Sequence, residues 1–443
     1  MLAYIPNIIF IIFFSITLFF FTRNVKRIYR NINLGIPIDR NDNKKQRWAQ
    51  MLRIAFGQSK MIDKPIVGIL HIVVYLGFLV INIELLEILF DGFFGTHRVF
   101  APYLGSFYNF LIGFFEIFAL LVIISVVIFW IRRNILTITR FLNNEMKGWP
   151  KTDANWILYI ELILMTLFLT MNGSDFWLQI NSSDPNYISA GYFPVSQYLL
   201  PFFDSLSINS VIIIERTAWW LHITGIFFFL NYLYYSKHLH ILLAFPNTYF
   251  ANLESKGKFS NLKSVTNEVK MMLDPSVDPF STPETNQVVP KFGASDVFDL
   301  SKIQLLNAYT CTECGRCTSE CPANQTGKKL SPRKIMMDTR DRLEEVGRNI
   351  DLNKGEFKSD GKQLLENHIS SEELWACTSC NACVEACPIG IDPLSIIMDM
   401  RRYLVMEKSA APSELNNMMN NIENNGAPWP FNQMDKLNWK NEL

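Results

Sequence analysis

The chain has 443 residues with 41 Lys and Arg against 41 Asp and Glu, so its formal net charge is zero. That balance leaves no basic footprint for nucleic acid and implies no strongly acidic substrate. Hydrophobic residues make up 49% and Phe alone numbers 35, most of them in the first half, so two unlike halves are expected rather than one globular domain.

Five segments are apolar over the roughly 20 residues that cross hydrocarbon: about 5–22, 65–90, 107–131, 155–172 and 217–244. No Lys or Arg precedes the first; Arg23, Lys26, Arg27 and Arg30 follow it. A cleaved signal peptide has its basic residues in front, so this reads as an uncleaved first helix. The loop 23–64 carries 11 Lys and Arg and the loop 132–155 carries five, against one in 91–106 and none in 173–215. The positive-inside rule then puts the N-terminus outside, and the chain beyond Lys237 in the cytoplasm.

Five of the six His lie in or near this half: His71, His97, His222, His238 and His240. Imidazole is an axial ligand of haem iron, and helical bundles hold b-type haem. His222 and His240 are 18 residues apart, five whole helical turns, so they share a face roughly 27 Å apart along one helix. His71 and His240 fall at matching depth near the cytoplasmic ends of their helices, and are expected to hold a proximal haem b. His222 lies nearer the outer end, where His97 is its one available partner for a distal haem b. By the same arithmetic His238 points away and reads as an interfacial or supporting residue. His368, in polar sequence, reads as a surface residue. Glu84, Glu87, Glu116 and Glu161 interrupt the apolar segments and are functional candidates. For Glu84 the choices are a proton relay for quinone chemistry, a carboxylate near the headgroups, or one paired with Arg216. Trp219 and Trp220 read as an interfacial belt.

Pro246 is expected to end the fifth helix. Residues 246–300 read as a linker or docking segment, with irregular chain through the Pro-rich stretch 275–283. All eight Cys follow, as CTECGRCTSECP at 311–322 and CTSCNACVEACP at 377–388. Each run is C-x2-C-x2-C-x3-C-P, in which three thiolates hold one cubane and the fourth reaches the other. Cys311, Cys314, Cys317 and Cys387 are therefore expected to hold one [4Fe–4S] cluster. Cys377, Cys380, Cys383 and Cys321 are expected to hold the second. A zinc site needs only two ligand pairs and does not explain the repeat. Between the motifs, 333–346 reads as a charged helix, either solvated or a partner surface. A further helix is expected over 394–406. The tail beyond it is Asn-rich, and its Trp429 and Trp439 suit docking to another chain or packing on the cluster domain.

Three stretches carry a resemblance. His71 in the second helix, with His222 and His240 eighteen apart in the fifth, resembles the dihaem cytochrome b gamma subunit of respiratory nitrate reductase. That family has a second ligand ten residues after His71, where this chain has Ile81. LNAYTCTECGRCTSECPANQTGKKLSPRK and ELWACTSCNACVEACP resemble the iron–sulfur part of the heterodisulfide reductase group. The combination is similar to membrane iron–sulfur oxidoreductases that link electron transfer flavoprotein, or a related dehydrogenase, to menaquinone. The resemblance implies a bacterial inner (cytoplasmic) membrane location. It also implies a separate partner, either electron transfer flavoprotein or a Cys-Cys-Gly iron–sulfur subunit.

The expected fold is mainly α, a five-helix transmembrane bundle followed by a cytoplasmic α-helical dicluster ferredoxin domain. Its boundaries are 1–245 for the cytochrome b-like bundle, 246–300 for the linker, 301–400 for the ferredoxin domain and 401–443 for a docking tail. The expected function is electron transfer between a flavoprotein or Cys-rich partner and menaquinone, through two clusters and b haem. A haem-free, membrane-tethered ferredoxin adaptor is the rival reading. A heterodisulfide-type catalytic chain would need further Cys. No catalytic residue is assigned, because the sequence has no dinucleotide fingerprint and no nucleophile–base set.

Overall fold

A computed structural model of the chain describes residues 4–136, 138–255, 257–274, 276 and 291–441. Five long helices are each apolar enough to cross a membrane. They are α1 (Ile5–Ile32), α2 (Pro65–Phe94), α3 (Ser106–Asn134), α4 (Trp149–Asn181) and α5 (Ile208–Tyr232). Local signals set their ends. Pro65 opens α2, where a missing N–H costs nothing, and Gly95 closes it at φ +71. Arg132 and Arg133 occupy the last turn of α3, where they complement the helix dipole. Ser207 caps α5 by accepting from the Ser210 amide at 3.2 Å.

The bundle interior is largely aromatic. Phe10 is fully buried and packs on Phe93, Trp219 and Phe227. Gly92 permits this, since a Cβ there would stand 2.6 Å from the Phe10 ring. Trp219 is therefore core rather than interfacial belt, which corrects the sequence expectation. The outer faces are apolar too, with Ile8, Ile12, Ile16 and Phe19 of α1 exposed side by side. Such a stripe has no place in water and suits lipid.

The last two spanning helices depart from expectation. α4 runs well past 172 to Asn181, and α5 begins at Ile208 rather than 217. α5 also stops at Tyr232. Two short 3₁₀ turns follow, and α6 (His240–Tyr249) begins anew. The break is fixed by Ser236, whose hydroxyl accepts from the His238 amide at 3.1 Å. Pro246 accordingly lies inside α6 and does not end the fifth helix. The five-turn arithmetic between His222 and His240 does not hold across this break.

The second half packs around α7 (Lys302–Thr310), α8 (Pro332–Leu352) and α9 (Pro393–Met406). A reciprocal Ser301/Gln304 capping box starts α7. Leu305, Ile335, Leu343, Val346, Ile396 and Met400 form the core. The stretch 333–346 is thus neither a solvated helix nor a free surface. Arg342 is fully buried and donates to Asp296 and Asp360. His368 is likewise half-buried, 3.4 Å from Glu345, rather than a surface residue. Of the Pro-rich stretch, only Ser276 lies within the described residues. In the tail, Ser413–Asn425 forms a helix without a buried residue, and Trp429 and Trp439 are exposed.

This half is seated on the bundle end that carries the basic loops. Asn31 donates to the Tyr309 hydroxyl at 2.8 Å. Backbone bonds join Ile36 to Leu300 and Lys302. Arg333, fully buried, pairs with Glu145 at 2.8 Å. Among the described residues there is no β-strand, only two isolated bridge pairs.

Candidate metal centres

The two cysteine runs share one backbone plan. Glu313 and Ser379, each two residues after the first Cys, are left-handed at φ 55 and 57. Gly315 and Asn381 are left-handed again at φ 72 and 61. A short helix then carries the third Cys, Arg316–Ser319 in the first run and Ala382–Ala386 in the second. These reversals curl the loop so that successive thiols turn inward. A left-handed Glu is costly, and here its carboxylate is clamped by Lys237 and by Arg340. Burial opposes ionisation of Glu313, but the two cations outweigh it and hold the carboxyl below the usual range.

Cys321 lines one cavity together with Cys377, Cys380 and Cys383, with about 300 Å³ of empty volume. Cys387 lies electrostatically close to Cys311, Cys314 and Cys317. Each fourth Cys thus crosses to the other run. All eight are free thiols. Burial pushes Cys311 and Cys383 up to about 12 and Cys387 up to about 11, so thiolates here need a cationic partner such as cluster iron. Backbone amides supply the rest of a cluster's surroundings: Ser379 N–H donates to Cys377 Sγ at 3.4 Å, and Ile391 N–H to Cys387 Sγ at 3.3 Å. No three His, Cys, Asp or Glu among the described residues converge on a single-ion site, whereas a cubane holds its thiolates further apart. The residues fit two cubanes.

The first run faces the helical bundle. Arg316 donates to the Lys60 carbonyl at 3.2 Å, and Lys60 Nζ donates to the carbonyl of Cys387 at 3.4 Å. Lys60 stands just ahead of α2, which carries His71. The His71 and His240 rings face each other with centroids 6.5 Å apart. Two imidazoles across one iron stand about 6 Å apart, given metal–nitrogen bonds near 2 Å. The 3.2 Å contact of His240 Nδ1 is to the Lys237 carbonyl, which only accepts, so Nδ1 carries the proton and Nε2 is left for a metal. The pair fits one haem. His238 lies beside it, its ring 5.2 Å from His240 and its Nε2 3.6 Å from the Glu161 carboxylate.

His97 and His222 are not brought together. His97 has both ring nitrogens engaged, Nε2 with Asp175 at 2.8 Å and Nδ1 with Arg216 at 3.2 Å. His222 instead contacts the Leu164 carbonyl through Nδ1 at 3.0 Å. The two His thus touch α4 eleven residues apart, about 16 Å along the axis, and cannot clamp one iron. The distal haem pair expected from sequence is corrected accordingly. Of the alternatives for Glu84, pairing with Arg216 is not formed, because Arg216 pairs with Glu215.

Glu87 and Glu116, both candidates from the sequence, belong to a buried polar network at the bundle end remote from the cysteines whose other members sequence reasoning missed. Arg98 donates to Asp175 at 2.7 Å, to the Tyr108 hydroxyl at 3.0 Å and to Asn172 at 3.0 Å. Tyr108 donates to Glu87 at 2.7 Å. Glu116 accepts from the amides of Val195 and Ser196 at 2.9 and 3.0 Å. Arg98, the one Lys or Arg between the second and third spans, was the available signal.

Five membrane-competent helices with a two-run cysteine domain at one end define a membrane-associated iron–sulfur protein. A 4Fe-4S dicluster domain matches residues 310–391, which supports two iron–sulfur clusters. Relatives include the "probable iron-sulfur-binding oxidoreductase FadF" of Bacillus subtilis, 27% identical over 98% of this chain and 61% of that protein. The "EtfAB:quinone oxidoreductase" of Syntrophomonas wolfei is 27% identical over 91% of this chain and 55% of its own length. A "probable membrane-anchored ferredoxin" of Chromohalobacter salexigens is 32% identical over 34% of this chain and 24% of its own. The chain thus spans 61% and 55% of the first two relatives. No solved structure matches it. The chain is thus a membrane-associated iron–sulfur protein similar to proteins named as oxidoreductases.

Proposed function

We propose that the chain passes electrons between a cytoplasmic flavoprotein or Cys-rich partner and menaquinone in a bacterial inner membrane. In this reading Cys377, Cys380, Cys383 and Cys321 hold the cluster that faces the partner. Cys311, Cys314, Cys317 and Cys387 hold the one that faces the membrane, and His71 and His240 hold a b-type haem. When bound, these groups supply one-electron carriers. The observation that carries the reading is the order of the three ligand sets. The second run's cavity is walled by Leu330, Pro332, Leu394 and Ile397 of the cluster half. The first run abuts Lys60, and the paired imidazoles lie just inside the bundle beyond it. A relative that bears a quinone oxidoreductase name supports the quinone end of the reading.

The basic loops and the cysteines share one end of the molecule, which the positive-inside rule places in the cytoplasm. A haem-free adaptor has no use for two partly buried imidazoles facing each other at haem spacing, since unpaired polar groups in hydrocarbon are costly. The test is reoxidation of the dithionite-reduced, detergent-purified chain by a menaquinone analogue. Reoxidation of both cluster and haem signals is expected. Cluster signals that persist, in a chain without haem, would leave the adaptor.

A further inference from the structure

We propose that the cavity beside His222 is a hydroquinone pocket, with Glu84 and His222 as its proton acceptors; this rests on the quinone-linked reading above. The cavity is lined by residues of α2, α3, α4 and α5. Its walls include Val74, Ile81, Leu164 and Phe229, an apolar lining with few polar groups. That is the usual make-up of a small-molecule site.

Four polar side chains line it: Asn82 donates to the Phe78 carbonyl and Glu161 stands 3.6 Å from His238, while Glu84 and His222 each present an atom free to meet a ligand. His222 is buried and lines the cavity, and its one hydrogen bond joins Nδ1 to the Leu164 carbonyl. A carbonyl only accepts, so Nδ1 carries the proton and Nε2 offers a lone pair. Glu84 also lines the cavity, only 4% exposed, and its Oε2 has no hydrogen-bond partner. A buried carboxylate oxygen without a donor calls for one. Hydroquinone brings two O–H donors on an apolar ring. A second haem would need a ligand facing His222, and Ile81 on the facing helix offers none.

Oxidation of the hydroquinone breaks its two O–H bonds. One proton goes to the ionised Glu84 carboxylate and the other to His222 Nε2. The two electrons leave one at a time toward the cluster side, where an oxidised flavoprotein or iron–sulfur partner accepts them. Quinone reduction is the reverse. Glu84 stands one turn from Glu87, which begins the bonded series Glu87, Tyr108, Arg98, Asp175, His97.

Two experiments on the purified full chain test this. Photolabelling with an azido-naphthoquinone should mark peptides within 74–88, 161–168 or 222–229, and labelling elsewhere alone would overturn the assignment. Rapid mixing with the soluble naphthoquinol menadiol should reduce the chain's metal centres. Glu84→Gln and His222→Gln should each slow that reduction at least tenfold, with haem and iron content, and reduction by dithionite, unchanged. An unaltered rate in Glu84→Gln would overturn the pocket, as would loss of haem in His222→Gln, which would make His222 an iron ligand. A wild-type chain that menadiol does not reduce would sink the quinone reading itself.

Discussion

Replacing Arg98 by Met isolates what the buried network contributes. The guanidinium is 6% exposed and makes three side-chain hydrogen bonds, to Asp175, Tyr108 and Asn172. Asp175 is itself almost fully buried, with a side chain 1% exposed. Without Arg98 it keeps only His97 at 2.8 Å and Gln179 at 2.9 Å. Removing one partner of a buried ion pair typically costs about 3–5 kcal/mol, because the remaining charge stays desolvated. At about 2–4 °C per kcal/mol for a large domain, melting should fall by on the order of 10 °C. The assay is thermal unfolding in detergent, followed by fluorescence-detected size exclusion. Asp175→Asn alone should cost less, and the Arg98→Met/Asp175→Asn pair should recover part of the loss. An Arg98→Met protein that melts within a degree or two of wild type would refute the argument. So would a double variant that shows no recovery.

Other outcomes follow from the same geometry. Cys321→Ser should remove the cluster of the second run and leave that of the first, so iron per chain should fall by about half; retention of both clusters would disprove the crossed ligation. Gly347→Leu places carbon where Asn31 Nδ2 would lie 2.4 Å from a Cβ. It should loosen α1 from the cluster half and expose the 31–40 segment to protease, while the parent chain resists. Asp338 is held up to about 6 by burial, against the pull of Lys334. Its proton is bound more tightly folded than unfolded, so stability should fall as pH rises from about 4 to 6 and then level off. Asp338→Asn should flatten that slope in chemical denaturation.

The cysteine domain was legible because a cubane dictates both ligand number and spacing, and no packing argument competes with it. The five spans were legible for a similar reason: hydrocarbon demands length and hydropathy. Helix ends were less so. Asn172, Ser174 and Asp175 dilute the apolar signal of α4, yet their side chains are buried and each makes at least one hydrogen bond, so the helix continues. The break after Tyr232 is set by a Ser236 cap rather than by proline, and nothing in the apolar run announces it. His71 and His240 could be paired by depth alone. His97 could not be judged that way, because its partners Asp175 and Arg216 come from residues 78 and 119 positions away. The cavity at His222 has no sequence signature beyond Ile81, where the cytochrome b family that the sequence resembles has a second ligand.

The most direct measurement is haem per chain in detergent-purified protein, from a pyridine haemochrome assay and a dithionite-reduced minus oxidised spectrum. One b-type haem, lost in His240→Ala and kept in His97→Ala, is the predicted result. No haem alongside a full complement of cluster iron would contradict the account, as would two haems with one lost in His97→Ala.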